Sequence, residues 1–146
     1  MIEIVVRGTP APQGSKRHVG GGRMVEMSKA VGPWREAVRA QTQATVTASF
    51  PAACPVKVRV WFWLKRPAGH YRTGKNAHLL RDGAPVVPSG TPDLDKLCRA
   101  VLDGLTMGGA WKDDGQVTEL TARKLYVVDG AGMTPGARIE ISEVAE

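Results

Sequence analysis

Five aspartates fall within one short stretch of this 146-residue chain. Asp93 and Asp95 stand in Thr91-Pro92-Asp93-Leu94-Asp95-Lys96, Asp103 in Leu102-Asp103-Gly104, and Asp113 and Asp114 in Trp111-Lys112-Asp113-Asp114-Gly115-Gln116-Val117. The chain that carries them is strongly basic, with a net charge of +6 and a pI near 9.7. Clustered carboxylates in a positive protein suit a magnesium site acting on an anionic polymer, where metal and cations share the phosphate charge. Lys96, Arg99 and Lys124 are the cations placed to stabilise charge that develops at such a centre. The combination points to a nuclease.

Each residue also has a plainer explanation. Asp93 and Asp95 sit where the chain enters a helix, and Asp is favoured there by unpaired amides and by the helix dipole. Capping accounts for one aspartate but poorly for two. Asp113-Asp114-Gly115 is an ordinary turn sequence, yet a turn between a helix end and the next strand can return to the helix start across a sheet. Asp103 is expected to pair with Arg99 one turn before it and to be structural. The three cations can be ion-pair partners of the same aspartates. Other motifs fail. Gly14-Ser15-Lys16 lacks the glycine spacing of a phosphate loop, and Asp93-Leu94-Asp95 lacks the glycine and distal glutamate of a calcium loop. His18, His70, His78 and the two cysteines have no zinc spacing, and there is no nucleophile elbow.

The elements that must position these residues follow from periodicity. Ile2 to Arg7 reads as a strand. Gly8 to Gly22, rich in Gly and Pro, is expected to hold no regular structure, and it carries Lys16 and Arg17 with Arg23 just beyond. Ala30 to about Ser49 reads as a helix with Pro33 in its first turn and Val31, Trp34, Val38 and Thr42 on one face. Val56 to Leu64 is the clearest strand: Val56, Val58, Val60, Phe62 and Leu64 form a core face, and Lys57, Arg59, Trp61, Trp63 and Lys65 the other. Packing is the favoured role for the tryptophans, ahead of DNA stacking. Arg66 to Pro88 is long, irregular and basic, with Arg66, Arg72, Lys75 and Arg81 against Asp82, and loops of that length are usually functional or mobile. A helix from about Asp93 to Thr106 buries Leu94, Leu97, Cys98, Val101, Leu102 and Leu105. Strands follow from Gln116 to about Val128 and from Ala137 to Val144.

Length and composition indicate one domain over residues 1–146, with a real core. Cys54 and Cys98 form no disulfide framework and read as small buried thiols of a reduced, cytoplasmic protein. No apolar run approaches the ~20 residues of a membrane span. The fold expected is α+β: a mixed sheet of four or five strands packed with two main helices.

The segment from Thr91 to Lys124 resembles the RusA family of Holliday junction resolvases. The likeness rests on Pro92-Asp93-Leu94-Asp95-Lys96-Leu97, on Ala100-Val101-Leu102-Asp103-Gly104-Leu105, on Trp111, on Asp113-Asp114-Gly115-Gln116-Val117 and on Lys124; Gly8 to Arg17 is similar to the family's first loop. The resemblance implies an intertwined homodimer that nicks four-way DNA junctions symmetrically in recombination and repair, with Mg²⁺ as cofactor, Mn²⁺ as its substitute and no small-molecule cofactor. It implies metal-holding carboxylates at Asp93, Asp95 and Asp114, with Asp113 beside them, and a phage or prophage setting. Where the family carries a catalytic lysine this chain has Arg99, and where it carries an asparagine this chain has Lys96. Arg keeps the charge but not the point ammonium. Lys16, Arg17, Arg23, Arg66, Arg72, Lys75 and Arg81 are the candidates to grip the DNA backbone. The alternatives are a junction-binding protein of the same fold that does not cut, and a metal-dependent nucleotide hydrolase.

Overall fold

In a computed structural model of the chain, residues 1–14, 16–19, 23–26, 29–128 and 131–145 are described, with 16–19 and 23–26 described by backbone alone. The first strand, β1 (Ile2–Arg7), buries Ile4 and Val6. β2 (Lys16–Val19) and β3 (Arg23–Glu26) then pair antiparallel, Lys16 opposite Glu26 and Val19 opposite Arg23. This hairpin corrects the expectation that Gly8 to Gly22 holds no regular structure. The glycines concentrate at Gly20-Gly21-Gly22, between two short runs able to pair, so averaging over the window hid the strands.

Helix α1 (Val31–Thr45) buries the expected Val31, Trp34, Val38 and Thr42. Thr42 is tolerated inside because its hydroxyl donates to the Val38 carbonyl at 2.7 Å. β4 (Val56–Leu64) buries every second residue, as its alternation requires. The segment from Arg66 to Pro88 holds two single 3₁₀ turns, Ala68–His70 and Gly74–Asn76, and a bridge between Tyr71 and Leu80. Helix α2 (Leu94–Met107) follows, then a 3₁₀ turn at Asp114–Gln116 that delays the next strand by one residue, β5 (Val117–Tyr126), and finally β6 (Gly136–Glu143) with Ile139 and Ile141 buried.

The mixed sheet runs β1-β6-β4-β5. β6 pairs antiparallel with both β1 and β4, while β4 and β5 are parallel. Parallel neighbours require a crossover, and α2 is that crossover. The fold is therefore α+β with one mixed sheet and two helices, as anticipated. Ile4, Val6, Val58, Val60, Phe62, Ile139 and Ile141 of the sheet form one core with Trp34 and Val38 of α1 and Leu97, Val101 and Leu105 of α2. On the opposite face Trp61 is half-buried, its ring flanked by the Arg59 and Arg138 guanidiniums at 5.1 and 5.4 Å. Both cysteines are free, and burial together with the Asp95 charge pushes the Cys98 thiol up to about 11. Among the described residues no helix is long and apolar enough to cross a membrane.

Two glycines set how closely the helices approach. A Cβ on Gly104 would lie 2.7 Å from Val38 Cγ1 and 3.1 Å from the Arg35 carbonyl. A Cβ on Gly108 would lie 2.6 Å from Thr42 Cβ and 2.8 Å from the Arg39 carbonyl. Gly104→Ala gains up to about 1 kcal/mol of helix propensity, but overpacking against α1 costs about 1–3 kcal/mol. Gly104→Ala is expected to be destabilised on balance, and Gly108→Ala more so because the backbone carbonyl in its way is nearer, at 2.8 Å. Urea denaturation measures both.

Candidate functional site: two carboxylate groups at the ends of one helix

The first group lies at the entry of α2. Asp93 occupies the N-cap with extended backbone angles, yet its side chain makes no capping hydrogen bond. Its carboxylate is half-exposed and lies 3.6 Å from Lys96 Nζ. Capping therefore does not explain Asp93. Asp95 is exposed in the first turn, where the helix dipole favours an anion. Arg99, one turn on and also exposed, lines with Asp95 a groove between α2 and β5. Among the described residues no ion pair holds Arg99.

Lys124 completes this end. It is opposite Phe62 in the parallel register, so it rises on the helix side of the sheet. Its ammonium donates to the Gly90 carbonyl at 2.6 Å and the Pro92 carbonyl at 2.9 Å. Lys124 thus fastens the chain immediately before Asp93. Backbone carbonyls leave no mark in a sequence, so this positioning role was not foreseen beside the electrostatic one.

The second group lies past the other end of α2. Trp111 is buried and donates its indole N–H to Thr106 Oγ1 at 2.8 Å. Gln116 is buried with every polar valence used. Its Oε1 accepts from the Lys112 and Asp113 amides at 2.9 and 3.2 Å, and its Nε2 donates to the Pro51 and Cys54 carbonyls at 2.8 and 3.0 Å. Asp113 accepts from the Gly115 amide at 3.1 Å and forms a capping box with Gln116. The turn explanation is sufficient for Asp113, and the Asp-x-x-Gln spacing was the signal that could have identified Gln116. Asp114 stands beside it with an exposed carboxylate. Its pKa is raised, chiefly by the interaction with the Asp113 carboxyl, then by partial desolvation and by the charges of Asp113 and Asp103, with the Gly115 amide opposing.

Asp103 does not pair with Arg99, which corrects that expectation. It accepts from Gln13 Nε2 at 2.7 Å, and Gln13 Oε1 accepts from Arg35 Nη1 at 3.0 Å. The loop after β1 packs along α2, the Gln13 amide reaching the Lys96 carbonyl at 3.0 Å. A neighbour that distant in sequence satisfies Asp103 before Arg99 can. Gln13 carried no sequence signal.

The two groups do not meet within one chain. The 14 residues of α2 span about 21 Å, with Asp93 and Asp95 at one end and Asp113 and Asp114 past the other. Among the described residues no group of three or more His, Cys, Asp or Glu side chains is placed to hold a metal ion. The expected return of the Asp113-Asp114 turn to the helix start is thereby corrected. Because β5 runs parallel to β4, the chain leaving α2 must travel along β5 before it is level with Asp93 again, and the residue it brings there is Lys124.

The basic candidates divide. Arg66 donates to the Pro85 carbonyl at 2.7 Å, and its guanidinium lies 4.3 Å from the centre of the Tyr126 ring. Arg72 bonds the Leu80 carbonyl and Asp82 at 3.1 Å each, and Arg81 bonds the Tyr71 carbonyl at 2.8 Å. These arginines staple the loop together, while exposed Lys75 sits in its second 3₁₀ turn. The side chains of Lys16, Arg17 and Arg23 lie outside the described residues.

The crowding at Asp114 has a thermodynamic consequence. A carboxyl whose folded pKa lies above its unfolded value lowers stability as pH rises through the interval between the two. The repulsion is fully present above that interval and absent below it. Asp114→Asn is expected to raise stability slightly at pH 7, by no more than about 1 kcal/mol because the group is exposed, and the gain should fade toward pH 3.5. Paired thermal melts across that range measure it.

A family model described as endodeoxyribonuclease RusA matches residues 7–142. No curated protein matches the chain. The matched span includes both carboxylate groups, Lys124 and every strand of the mixed sheet in whole or in part. With nearly its whole length covered, the chain belongs to the RusA family of endodeoxyribonucleases, the Holliday junction resolvases.

Proposed function

We propose that this protein is a Mg²⁺-dependent, homodimeric resolvase that makes paired, symmetrical nicks in four-way DNA junctions. The family match is the single observation that carries the reading. Asp93, Asp95 and Asp114 are the proposed metal carboxylates. Two features support that choice: Asp93 occupies a cap position without capping, and Asp114 is crowded by like charge, which a cation would relieve. Bound Mg²⁺ supplies Lewis-acid stabilisation of a phosphoryl oxygen and a more acidic water. One chain alone does not assemble the three carboxylates.

The chain's own residues have separable roles. Lys124 fixes the backbone from Gly90 to Pro92 and thereby the direction in which Asp93 projects. Arg99, exposed beside Asp95, and Lys96, beside Asp93, offer positive charge to a phosphate at the helix entry. Arg99 does so with a planar fork rather than a point charge, and it takes the place of the family's lysine. Lys75 and the stapled arginines of the 66–88 loop, with Lys16, Arg17 and Arg23, are proposed to hold the backbone of the junction arms, a contact that carries no sequence information. The nucleotide-hydrolase alternative gains no support from the family match.

A labelled synthetic four-way junction, incubated with Mg²⁺ or with EDTA, tests the reading. Cleavage should require the metal and should fall by about a hundred- to a thousandfold in Asp95→Asn, the order expected when an electrostatic element of a hydrolytic site is lost. Tight junction binding with no nick under any metal would instead identify a binder that does not cut. Lys124→Met should lower stability by about 1–3 kcal/mol, the worth of charged hydrogen bonds, and slow nicking while leaving junction affinity nearly unchanged. Gel-shift and cleavage assays on the same preparation separate the two effects. Junction affinity of the wild type should fall roughly 10³-fold or more between 50 and 200 mM salt if six or more phosphates are contacted.

A further inference from the structure

The face of the mixed sheet turned away from the helices carries chemistry that the carboxylate groups do not use. Strand register fixes its layout. One row sets Arg123, Trp61, Arg138 and Val5 side by side across β5, β4, β6 and β1. The next row sets Trp63, Gly136 and Arg7 across β4, β6 and β1. Val5, Arg7, Arg123 and Arg138 are exposed, and both tryptophans are half-buried.

The two tryptophans differ. Trp61 is already flanked by the guanidiniums of Arg59 and Arg138 at 5.1 and 5.4 Å. Trp63 instead lines a cavity of about 280 Å³ together with Val5, Arg7 and residues 132–135. Gly136 keeps that cavity open. A Cβ on it would lie 2.3 Å from the Val6 carbonyl oxygen and 3.3 Å from Arg7 Cα, so no side chain fills the place between Trp63 and Arg7. The Gly8 amide donates to the Pro135 carbonyl at 3.1 Å, which ties the end of the 132–135 segment to the end of β1. The cavity falls just below the ~300–1,000 Å³ of small-molecule pockets, a size that suits one flat ring.

Charge selects the occupant. Cations outnumber acids on this face: Arg7, Lys57, Arg59, Arg123 and Arg138 stand against Glu3, Glu119 and Glu140. Glu3 and Glu140 are both engaged by Arg138, at 3.0 and 2.9 Å. Among the described residues no ion pair holds Arg7, Lys57 or Arg123. A strand of unpaired nucleic acid offers what these groups need, flat base faces for an aromatic wall and phosphates for free cations. A closed duplex does not, since its bases stay in the stack unless they are extruded at a cost.

We propose that this face binds a single strand of DNA, with one unstacked base against Trp63 in the cavity and neighbouring phosphates on Arg7 and Arg123. The strand crosses the sheet from β1 to β5, about 14 Å at the usual strand spacing. Arg123 and Lys124 alternate, so this site and the entry of α2 lie on opposite faces. The site is independent of the metal carboxylates and of cutting. It gives the protein a preference for DNA whose strands have parted over plain duplex.

Anisotropy of a labelled short thymidine homopolymer, measured in EDTA so that nothing is cut, tests the proposal. Arg7→Glu should weaken binding at least tenfold, and the exposure of Arg7 keeps that variant folded by circular dichroism. Trp63→Leu should weaken it about five- to a hundredfold, the worth of one base stacked on an aromatic ring, and Trp63→Phe should restore most of it. A strand of abasic sugars should bind less tightly than thymidine by a similar factor. Photo-crosslinking of an iododeoxyuridine strand, mapped by mass spectrometry, should mark the peptide that holds Trp63. Wild-type affinity in Arg7→Glu and Trp63→Leu together, or adducts confined to the α2 entry and the 66–88 loop, overturns the proposal. Tighter binding of a ribouridine strand assigns the face to RNA and overturns it as well. So does an Arg7→Glu that dissociates a wild-type oligomer in sedimentation, which makes the face a contact between copies. Junction nicking is read separately, and its failure in the wild type would sink the resolvase reading while leaving this site standing.

Discussion

The parallel pairing of β4 with β5 governs the placement of everything chemical in this protein. Two parallel neighbours must be joined by a crossover, and α2 is the shortest rigid way to make one. Once α2 is there, its start and its end are held about 21 Å apart, and the residues that immediately flank the two ends are kept apart with them. β5 then carries the chain back, so the partner it delivers to the start of α2 is chosen by strand register. That partner is Lys124, opposite Phe62 and bonded to the carbonyls of Gly90 and Pro92. The Lys124 ammonium and the Asp114 carboxylate are thus positioned by the same topological rule, one near the start of α2 and one far from it.

The crossover is anchored at several points. Gly104 and Gly108 let α1 lie close against it. Gln13 ties the loop after β1 to Lys96 and Asp103. At its exit Gln116 uses all four of its hydrogen-bonding positions to fix the turn against Pro51 and Cys54. A buried amide satisfied in this way is stiff, because any rotation leaves polar groups unpaired. Rigidity of this kind keeps the two carboxylate groups from closing on one another by local movement. Towards β5, α2 borders the groove lined by Leu94, Cys98, Leu102, Leu120 and Ala122.

Much of the fold was legible in the sequence because it depends on local periodicity. The alternation in β4, the spacing of Val31, Trp34, Val38 and Thr42, and the stripe from Leu97 to Leu105 each encode a buried face directly. The β2–β3 hairpin was missed because three adjacent glycines dominated the reading of a short window. The aspartates themselves were legible, and family membership agrees with the resemblance carried by Thr91 to Lys124. Their distribution in space was not, since it depends on whether β5 lies parallel or antiparallel to β4. Nothing in the residues of either strand specifies that choice. Asp103 was misjudged for a related reason: its partner is Gln13, a residue distant in sequence that composition does not reveal.

The proposed resolvase acts through two sites on one junction. A supercoiled plasmid with an extruded cruciform tests it most directly, because a single nick releases the supercoiling and lets the cruciform reabsorb. Only two opposed nicks made within the lifetime of one complex yield linear DNA. Linear product as the first product, appearing with Mg²⁺ and absent with EDTA, is the result this account predicts. Accumulation of nicked circles with no linear product would contradict it.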